Sequence, residues 1–154
     1  MGRKMCIMLM LCCCVVMTSR ADDARKEAIQ KDRKRIEGTW KIVALEINGN
    51  RATDEDARKL TVINGSDGTW TLYSEGSEIS TGTSTIDPTR KPCTINLVET
   101  NNEGKVNQYL GIYELGDQTR KLCFAPQGKE RPVDFSSQPG SEMILVTFER
   151  VKTR

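Results

Sequence analysis

Short apolar runs, each ended by turn-forming residues, follow one another along residues 36–154. The first run, residues 36–47, is rich in Val, Ile, Leu, Thr and Trp, which favour the pleated surface of a sheet. Its apolar side chains fall on both parities, which is typical of a strand that is buried on both faces or that bends from one packing layer to another. Seven further runs of strand character lie at residues 60–63, 69–74, 77–86, 93–99, 105–115, 118–124 and 143–151.

The connections between most of these runs are short turns, and one has helical character. Asn48-Gly49-Asn50 is a strong turn signal. Thr53 as N-cap, with Asp56 three residues later, predicts one or two helical turns up to Lys59. Eight short strands joined in this order form a meander, which closes into an up-and-down barrel without exposed edges. We therefore predict an all-β fold for residues 36–154: a single eight-stranded antiparallel barrel, with a short helical N-terminal lead-in.

Residues 1–21 have the organisation of a secretory signal peptide. Basic residues at positions 3 and 4 precede an uncharged apolar stretch at 5–17, and small residues occupy positions 19 and 21. We predict cleavage after Ala21 and export to the periplasm, the envelope or the extracellular space. The alternatives are weaker, because a membrane anchor needs about 20 apolar residues and because no small residue precedes Cys12, Cys13 or Cys14 as lipid attachment requires.

Residues 22–35 form a charged segment with helix-forming composition and one large apolar residue, Ile29. A single apolar residue does not make a packing face, so we expect a solvated helix. The basic trio Arg33-Lys34-Arg35 is either a small docking patch or a wet surface, and charge runs favour the second interpretation.

Charge and composition exclude several classes of function. Three of the 23 basic residues and none of the 21 acidic residues lie in the signal segment, so the mature chain has 20 basic and 21 acidic residues and a net charge of −1. This charge does not indicate nucleic acid or an anionic membrane as partner. The chain has no histidine, which excludes the usual Ser-His-Asp and Cys-His machinery and the commonest metal and haem ligand. We predict no enzymatic activity, no metal and no cofactor.

Two short motifs at opposite ends of the barrel sequence resemble the lipocalin and calycin pattern. Gly38-Thr39-Trp40 lies on the first strand and Phe148-Glu149-Arg150 on the last. The resemblance implies that Gly38, Trp40 and Arg150 form a structural plug at one barrel end, with the basic side chain across the Trp ring.

The chain is more similar still to an uncharacterised lipocalin-like family of secreted planctomycete proteins. This resemblance covers residues 36–152 and implies the barrel fold and export, but no known activity. The residues that carry it are 36–40, 86–89, 110–114, 123–132 and 135–141.

The longest connection, residues 125–142, is the strongest candidate for a binding element. Loops beyond about 12–15 residues are usually functional or disordered, and three prolines indicate that this one is ordered. Alternation along the meander places it at the same barrel end as the connection 48–59, which is the open mouth in lipocalins. We expect a ligand rim there, although the charges could instead pair with one another and only solubilise the surface. The rim residues would be Lys129, Glu130, Arg131, Asp134 and Phe135.

The leading functional hypothesis is a non-enzymatic module that binds a small molecule at the barrel mouth. The alternative is a protein-interaction or envelope-structural domain with a filled barrel. A cavity above roughly 300 Å³ would favour the first. The sequence indicates neither the ligand's identity nor an oligomeric state. Asn64-Gly65-Ser66 matches a glycosylation sequon, but Asn-Gly is first a hairpin signal, and we interpret it as a turn.

Cys93 and Cys123 are the cysteines that remain after cleavage. In a meander their strands flank the strand at 105–115, so about 10 Å separates their backbones. A disulfide tolerates Cα separations up to about 7 Å. We therefore predict two free thiols, with Cys123 as a small packed residue on the other face of the sheet from Cys93.

Overall fold

A computed structural model describes residues 14–152 of the chain, and side chains from residue 20 onward. The first thirteen residues, which carry most of the predicted signal peptide, lie outside the described residues. The helices are α1 (Cys14–Ile36) and α2 (Asp54–Arg58), and the strands are β1 (Gly38–Ile47), β2 (Asn50–Arg51), β3 (Leu60–Asn64), β4 (Thr69–Ser74), β5 (Ser77–Asp87), β6 (Cys93–Asn101), β7 (Val106–Leu115), β8 (Thr119–Phe124) and β9 (Ile144–Arg150).

Eight of these strands form a closed antiparallel barrel, which confirms the predicted fold. From β3 to β9 each strand pairs with the next in sequence, and β1 pairs with both β3 and β9. The short β2 only extends the end of β1, where Ile47 pairs with Asn50. This closed meander is consistent with a lipocalin-like fold.

A register shift in β1 explains its mixed apolar pattern. Trp40 and Ile42 are buried in the barrel core. The pairing of β1 with β9 shifts between Ile42 and Ala44, and beyond the shift Leu45 packs against the same core. Because the shift inserts one residue, the inward positions change parity at this point. The strand therefore bends, as one of the two sequence interpretations required.

The helix α2 begins with the predicted cap. Thr53 Oγ1 accepts a hydrogen bond of 3.1 Å from the backbone N–H of Asp56, which satisfies a donor of the first turn. Ala57 is fully buried and belongs to the barrel core. The helix thus covers part of the barrel end at which β1 finishes and β3 begins.

The helix α1 docks on the opposite barrel end, whereas the sequence predicted a solvated segment. Ile29 packs against the core and Ile36 is buried within it. Polar contacts also join the helix to the barrel: the hydroxyl of Tyr113 donates to Asp32 at 2.7 Å, and Arg33 Nη1 donates to Ser84 Oγ at 2.8 Å. Of the basic trio, Arg33 and Arg35 both bond to the barrel, since Arg35 Nη2 donates to the carbonyl of Leu115 at 3.2 Å.

A bilayer-spanning helix is not found in the part of the chain that the structure describes, since no helix there is both long and apolar enough.

The segment between β8 and β9, residues 125–143, packs on the outer wall of the barrel. In β8, Leu122 and Phe124 belong to the barrel core, so Cys123 points to the other face. Cys123 and the neighbouring Ile112 are nevertheless buried, because this segment covers them. The Cys123 thiol lies 3.4 Å from the carbonyl of Ser136, to which it donates.

The two cysteines are free thiols on strands that are not neighbours. Cys93 lies opposite Tyr113, and Tyr113 lies opposite Leu122. Counting outward from the turns in the sequence predicts Gly111 opposite Cys93, two residues from the observed partner. That register is wrong, but the prediction that Cys93 and Cys123 lie on opposite faces of the sheet is confirmed. Burial raises the pKa of the Cys123 thiol, and with it the barrier to reaction.

We expect a chain that begins at Asp22 to contain two titratable thiols and no disulfide. A thiol reagent added to the unfolded, unreduced protein should count two thiols per chain. In the native protein Cys123 should react slowly, because its side chain is buried and its thiolate is disfavoured. The Cys93→Ser variant assigns the slow thiol, and a count of zero in the unfolded wild type would contradict the strand order.

Candidate functional site

Trp40 closes the barrel end that carries α1, which we call the closed end. Its indole N–H donates to the carbonyl of Ile36 at 2.7 Å. The guanidinium of Arg150 lies 4.3 Å from the centre of the Trp40 ring, and Arg150 Nη1 donates to the carbonyl of Glu37 at 2.8 Å. A β-carbon on Gly38 would lie 3.1 Å from Arg150 Nη1, and the φ of Gly38 is +108°, a conformation that favours glycine. The structure therefore brings Gly38, Trp40 and Arg150 together.

Behind this closure the barrel encloses a cavity of about 220 Å³. Its polar groups come from a few side chains, which are described below. Most of the lining is apolar and consists of Ile36, Ile42, Val62, Leu72, Ile95, Leu97, Leu122, Phe124, Ile144, Val146 and Phe148.

The cavity is sealed at the closed end and more accessible at the other, which we call the mouth. Trp40 and Phe148 at the closed end are 1% and 3% exposed. Leu97 and Tyr109, toward the ends of β6 and β7 that face the turn 102–105, are only partly buried. Trp40 and Phe148 therefore cover the closed end, whereas partly buried side chains line the cavity toward the mouth.

Arg120 places a positive charge inside this apolar lining. The side chain is 3% exposed, and its guanidinium lies 5.0 Å from the ring centre of Trp40 and 4.4 Å from that of Phe148. Burial, and then the positive charge of Arg150, lowers the pKa of Arg120 to about 9. The group is therefore still charged at neutral pH, and among residues 20–152 no carboxylate forms an ion pair with it.

Three nitrogen donors that line the cavity have no hydrogen-bond partner within the described residues. They are Arg120 Nε, Asn64 Nδ2 and Trp70 Nε1. The oxygen of Asn64 is already used, because Arg120 Nη1 donates to it at 3.3 Å. Asn64 and Trp70 are register partners on β3 and β4. All three residues lie toward the closed end of the cavity, Asn64 and Trp70 on neighbouring strands and Arg120 on β8 across the barrel. Unpaired buried donors are costly, so this end of the cavity lacks hydrogen-bond acceptors for them in the described part of the chain.

A carboxylate stands at the mouth side of the same cavity. Glu99, two residues before the end of β6, accepts hydrogen bonds from the hydroxyl of Tyr109 at 3.0 Å and from Asn107 Nδ2 at 3.3 Å. Burial, and then this hydrogen bond, raises the pKa of Tyr109. Unlike Arg120, Glu99 is partly exposed and already hydrogen-bonded.

The predicted rim residues lie elsewhere. Arg131 Nη1 donates to the carbonyls of Ile95 at 3.0 Å and Gly111 at 2.6 Å, and its Nη2 donates to Asn96 Oδ1 at 2.7 Å. These bonds hold the segment 125–143 against the outer wall. The cavity lining, as far as the described residues show, includes none of Lys129, Glu130, Arg131, Asp134 and Phe135.

Only the later part of that segment reaches the mouth end, as the meander predicted. Ser137 Oγ accepts from the N–H of Gly49 at 3.0 Å, and Asn48 Oδ1 accepts from the N–H of Gly140 at 2.7 Å. The charged residues at 129–134 precede this anchor and run along the outside of the barrel. There Arg131 lines a surface groove with Arg25, Asp87 and Arg90, in which Arg25 and Asp87 form an ion pair of 3.0 Å.

Sequence reasoning missed Arg120, Asn64 and Trp70. A signal existed for Arg120, because alternation along β8 places it on the same face as Leu122 and Phe124. Asn64 was interpreted as a turn residue. The turn begins at Gly65, whose N–H bonds to the carbonyl of Thr69, while Asn64 is 9% exposed and lines the cavity, which does not suit glycosylation.

The two arginines that contact Trp40 should have opposite effects on stability. Arg150→Met removes donors to the backbone carbonyls of Arg35 and Glu37, so we expect the free energy of unfolding to fall by about 1–2 kcal/mol. Arg120→Met removes a buried charge without a counter-ion, so we expect no loss and a gain of up to about 2 kcal/mol.

Urea denaturation with matched m-values would measure both effects. An equal loss in the two variants would show that the contacts of Arg120 with the aromatic rings, about 2 kcal/mol each when desolvated, outweigh the cost of its burial.

The described residues contain no group of three or more Cys, Asp or Glu side chains placed to hold a metal ion. Comparisons of the chain with protein-family models, with curated proteins and with solved structures found no match.

Proposed function

We propose that the chain is a non-enzymatic binding module that holds a small molecule inside the barrel. The observation that carries this proposal is the cavity of about 220 Å³ with unpaired donors on its wall. A stable apolar core has no need of either feature, because protein interiors are close-packed and buried polar groups are paired. The absence of histidine from the sequence also fits a binding role better than acid–base catalysis.

The size of the cavity sets the size of the ligand. An apolar cavity of about 150 Å³ accommodates benzene, so this one suits a molecule modestly larger than benzene. The binding position also changes from the sequence hypothesis: the ligand would lie within the barrel and not on the charged segment 129–135.

The second candidate is a protein-interaction or envelope-structural domain. Its support is that the cavity falls below the roughly 300 Å³ at which ligand pockets usually begin. On this hypothesis the barrel is a scaffold and its outer surface carries the function.

Adjacent positions on β6 provide a matched test of the two candidates. Leu97 lines the cavity, whereas Val98 is 38% exposed on the outer face. We expect small aromatic compounds such as toluene, benzamide and benzoate to shift backbone NMR signals of cavity residues. Leu97→Trp should abolish these shifts by filling the cavity, and Val98→Trp should preserve them. Wild-type protein that gives no cavity shifts with any of these compounds would favour the scaffold hypothesis.

We also propose that the chain is exported and belongs to the lipocalin-like family named above. Support for the family comes from the barrel and from the contact between Arg150 and the Trp40 ring. Support for export comes from the pattern of residues 1–21. The contacts of α1 described above begin at Arg25, so cleavage after Ala21 would preserve them.

Mass spectrometry of the protein secreted by a bacterial host should show Asp22 as the N-terminal residue. The same measurement on a Ser19→Arg, Ala21→Arg variant should show an uncleaved chain, because the small residues at the cleavage site are lost. Retention of Met1 in the wild type, or a lipid on Cys14, would contradict the proposed processing.

A further inference from the structure

The closed end of the cavity presents donors without acceptors, from β3 and β4 on one side and from β8 on the other. Arg120 Nε, Asn64 Nδ2 and Trp70 Nε1 all donate hydrogen bonds and cannot accept them. The one acceptor among these side chains, Asn64 Oδ1, is engaged by Arg120. Because guanidinium groups bond only as donors, this arrangement leaves Asn64 Nδ2 without a partner among residues 20–152.

The same end of the cavity carries an unbalanced charge. Arg120 is 97% buried, since 3% of its surface is exposed. The charged neighbour that lowers its pKa is the positive Arg150. Water molecules could satisfy donors at this position, but they would not neutralise the charge. A negatively charged acceptor would do both.

We propose that the cavity binds a small monocarboxylic acid, with its carboxylate on Arg120, Asn64 and Trp70 and its apolar body toward the mouth. This inference rests on the proposed function and names the chemical class of its ligand. A carboxylate has two oxygens with about four lone-pair positions, enough for all three donors. The rest of the lining is mainly aliphatic and aromatic, which suits a hydrocarbon body.

Glu99 limits the ligand to one negative charge. Its carboxylate lines the same cavity on the mouth side and is held by Tyr109 and Asn107. A second carboxylate at the far end of the ligand would approach it, and like charges in a partly buried site repel strongly. The site therefore selects monoanions over dianions.

Three compounds of nearly equal shape test the charge requirement. Benzoate, benzamide and benzamidine are planar and of the same size, and they carry a negative, a zero and a positive charge at neutral pH. In calorimetric or NMR titrations of the full mature chain, we expect benzoate to bind about tenfold to a hundredfold more tightly than benzamide, the range for a charge-assisted hydrogen bond. Benzamidine should not bind measurably.

Three variants test whether the preference for benzoate over benzamide depends on Arg120 and its neighbours in the cavity. Arg120→Met should reduce the preference for benzoate over benzamide to less than about threefold, because both compounds then meet an uncharged wall. Trp70→Phe, which keeps a ring and removes one donor, should weaken benzoate severalfold. Arg90→Met is the control, since Arg90 is an exposed surface residue outside the cavity, and it should leave both affinities unchanged.

The outcomes test separately whether the ligand is a carboxylate and whether the cavity binds a small molecule at all. Equal binding of benzoate and benzamide to the wild type would contradict the proposal of a carboxylic acid ligand but would still support a small-molecule binding function. Binding of none of the three compounds would overturn both. A charge preference that survives Arg120→Met would move the anion to another site, and equally tight binding of inorganic phosphate would show a simple anion site that needs no apolar body.

Discussion

The indole of Trp40 joins three parts of the chain that must meet for the barrel to close. Its N–H bonds to the carbonyl of Ile36 at the end of α1, and its strand pairs it directly with Arg150 on β9. The guanidinium of Arg150 covers the ring and bonds to the backbone at Glu37. Without this seam β1 and β9 would be open edges, which invite pairing with other chains. The position of every other strand follows from the closure.

The same packing buries a charge that the fold does not require. Arg120 contacts the rings of Trp40 and Phe148, so the layer that seals the barrel also surrounds a guanidinium. An apolar side chain of similar length would fill this layer without the cost of desolvation. We therefore expect the arginine to reduce stability, while it gives the closed end of the cavity a positive charge.

Local sequence patterns predicted the barrel but could not predict the polar contacts between residues far apart in the sequence. Alternating apolar residues and Asn-Gly turns report directly on strands, so the eight runs and their closure could be inferred. The docking of α1 depends on pairs such as Asp32 with Tyr113, 81 residues apart, which leave no periodic signal. Three prolines indicated that the segment 125–143 is ordered but not that Arg131 would fix it to the outer wall. Arg120 was visible in the alternation of β8, but its significance depends on a cavity that only packing defines.

The two ends of the cavity carry opposite charges, because Glu99 lies on the mouth side and Arg120 lies at the closed end. On the proposed function, a small molecule that entered from the mouth would pass Glu99 first and would meet Arg120 only beside the rings of Trp40 and Phe148. Arg120 is buried whereas Glu99 is partly exposed, so solvent would screen the positive charge less than the negative one. An anionic group would therefore gain most beside Arg120, whereas a cationic group would be favoured near Glu99. The closed end therefore does more than close the barrel. There α1, Trp40 and Arg150 shield from solvent the guanidinium of Arg120, whose charge would orient the ligand.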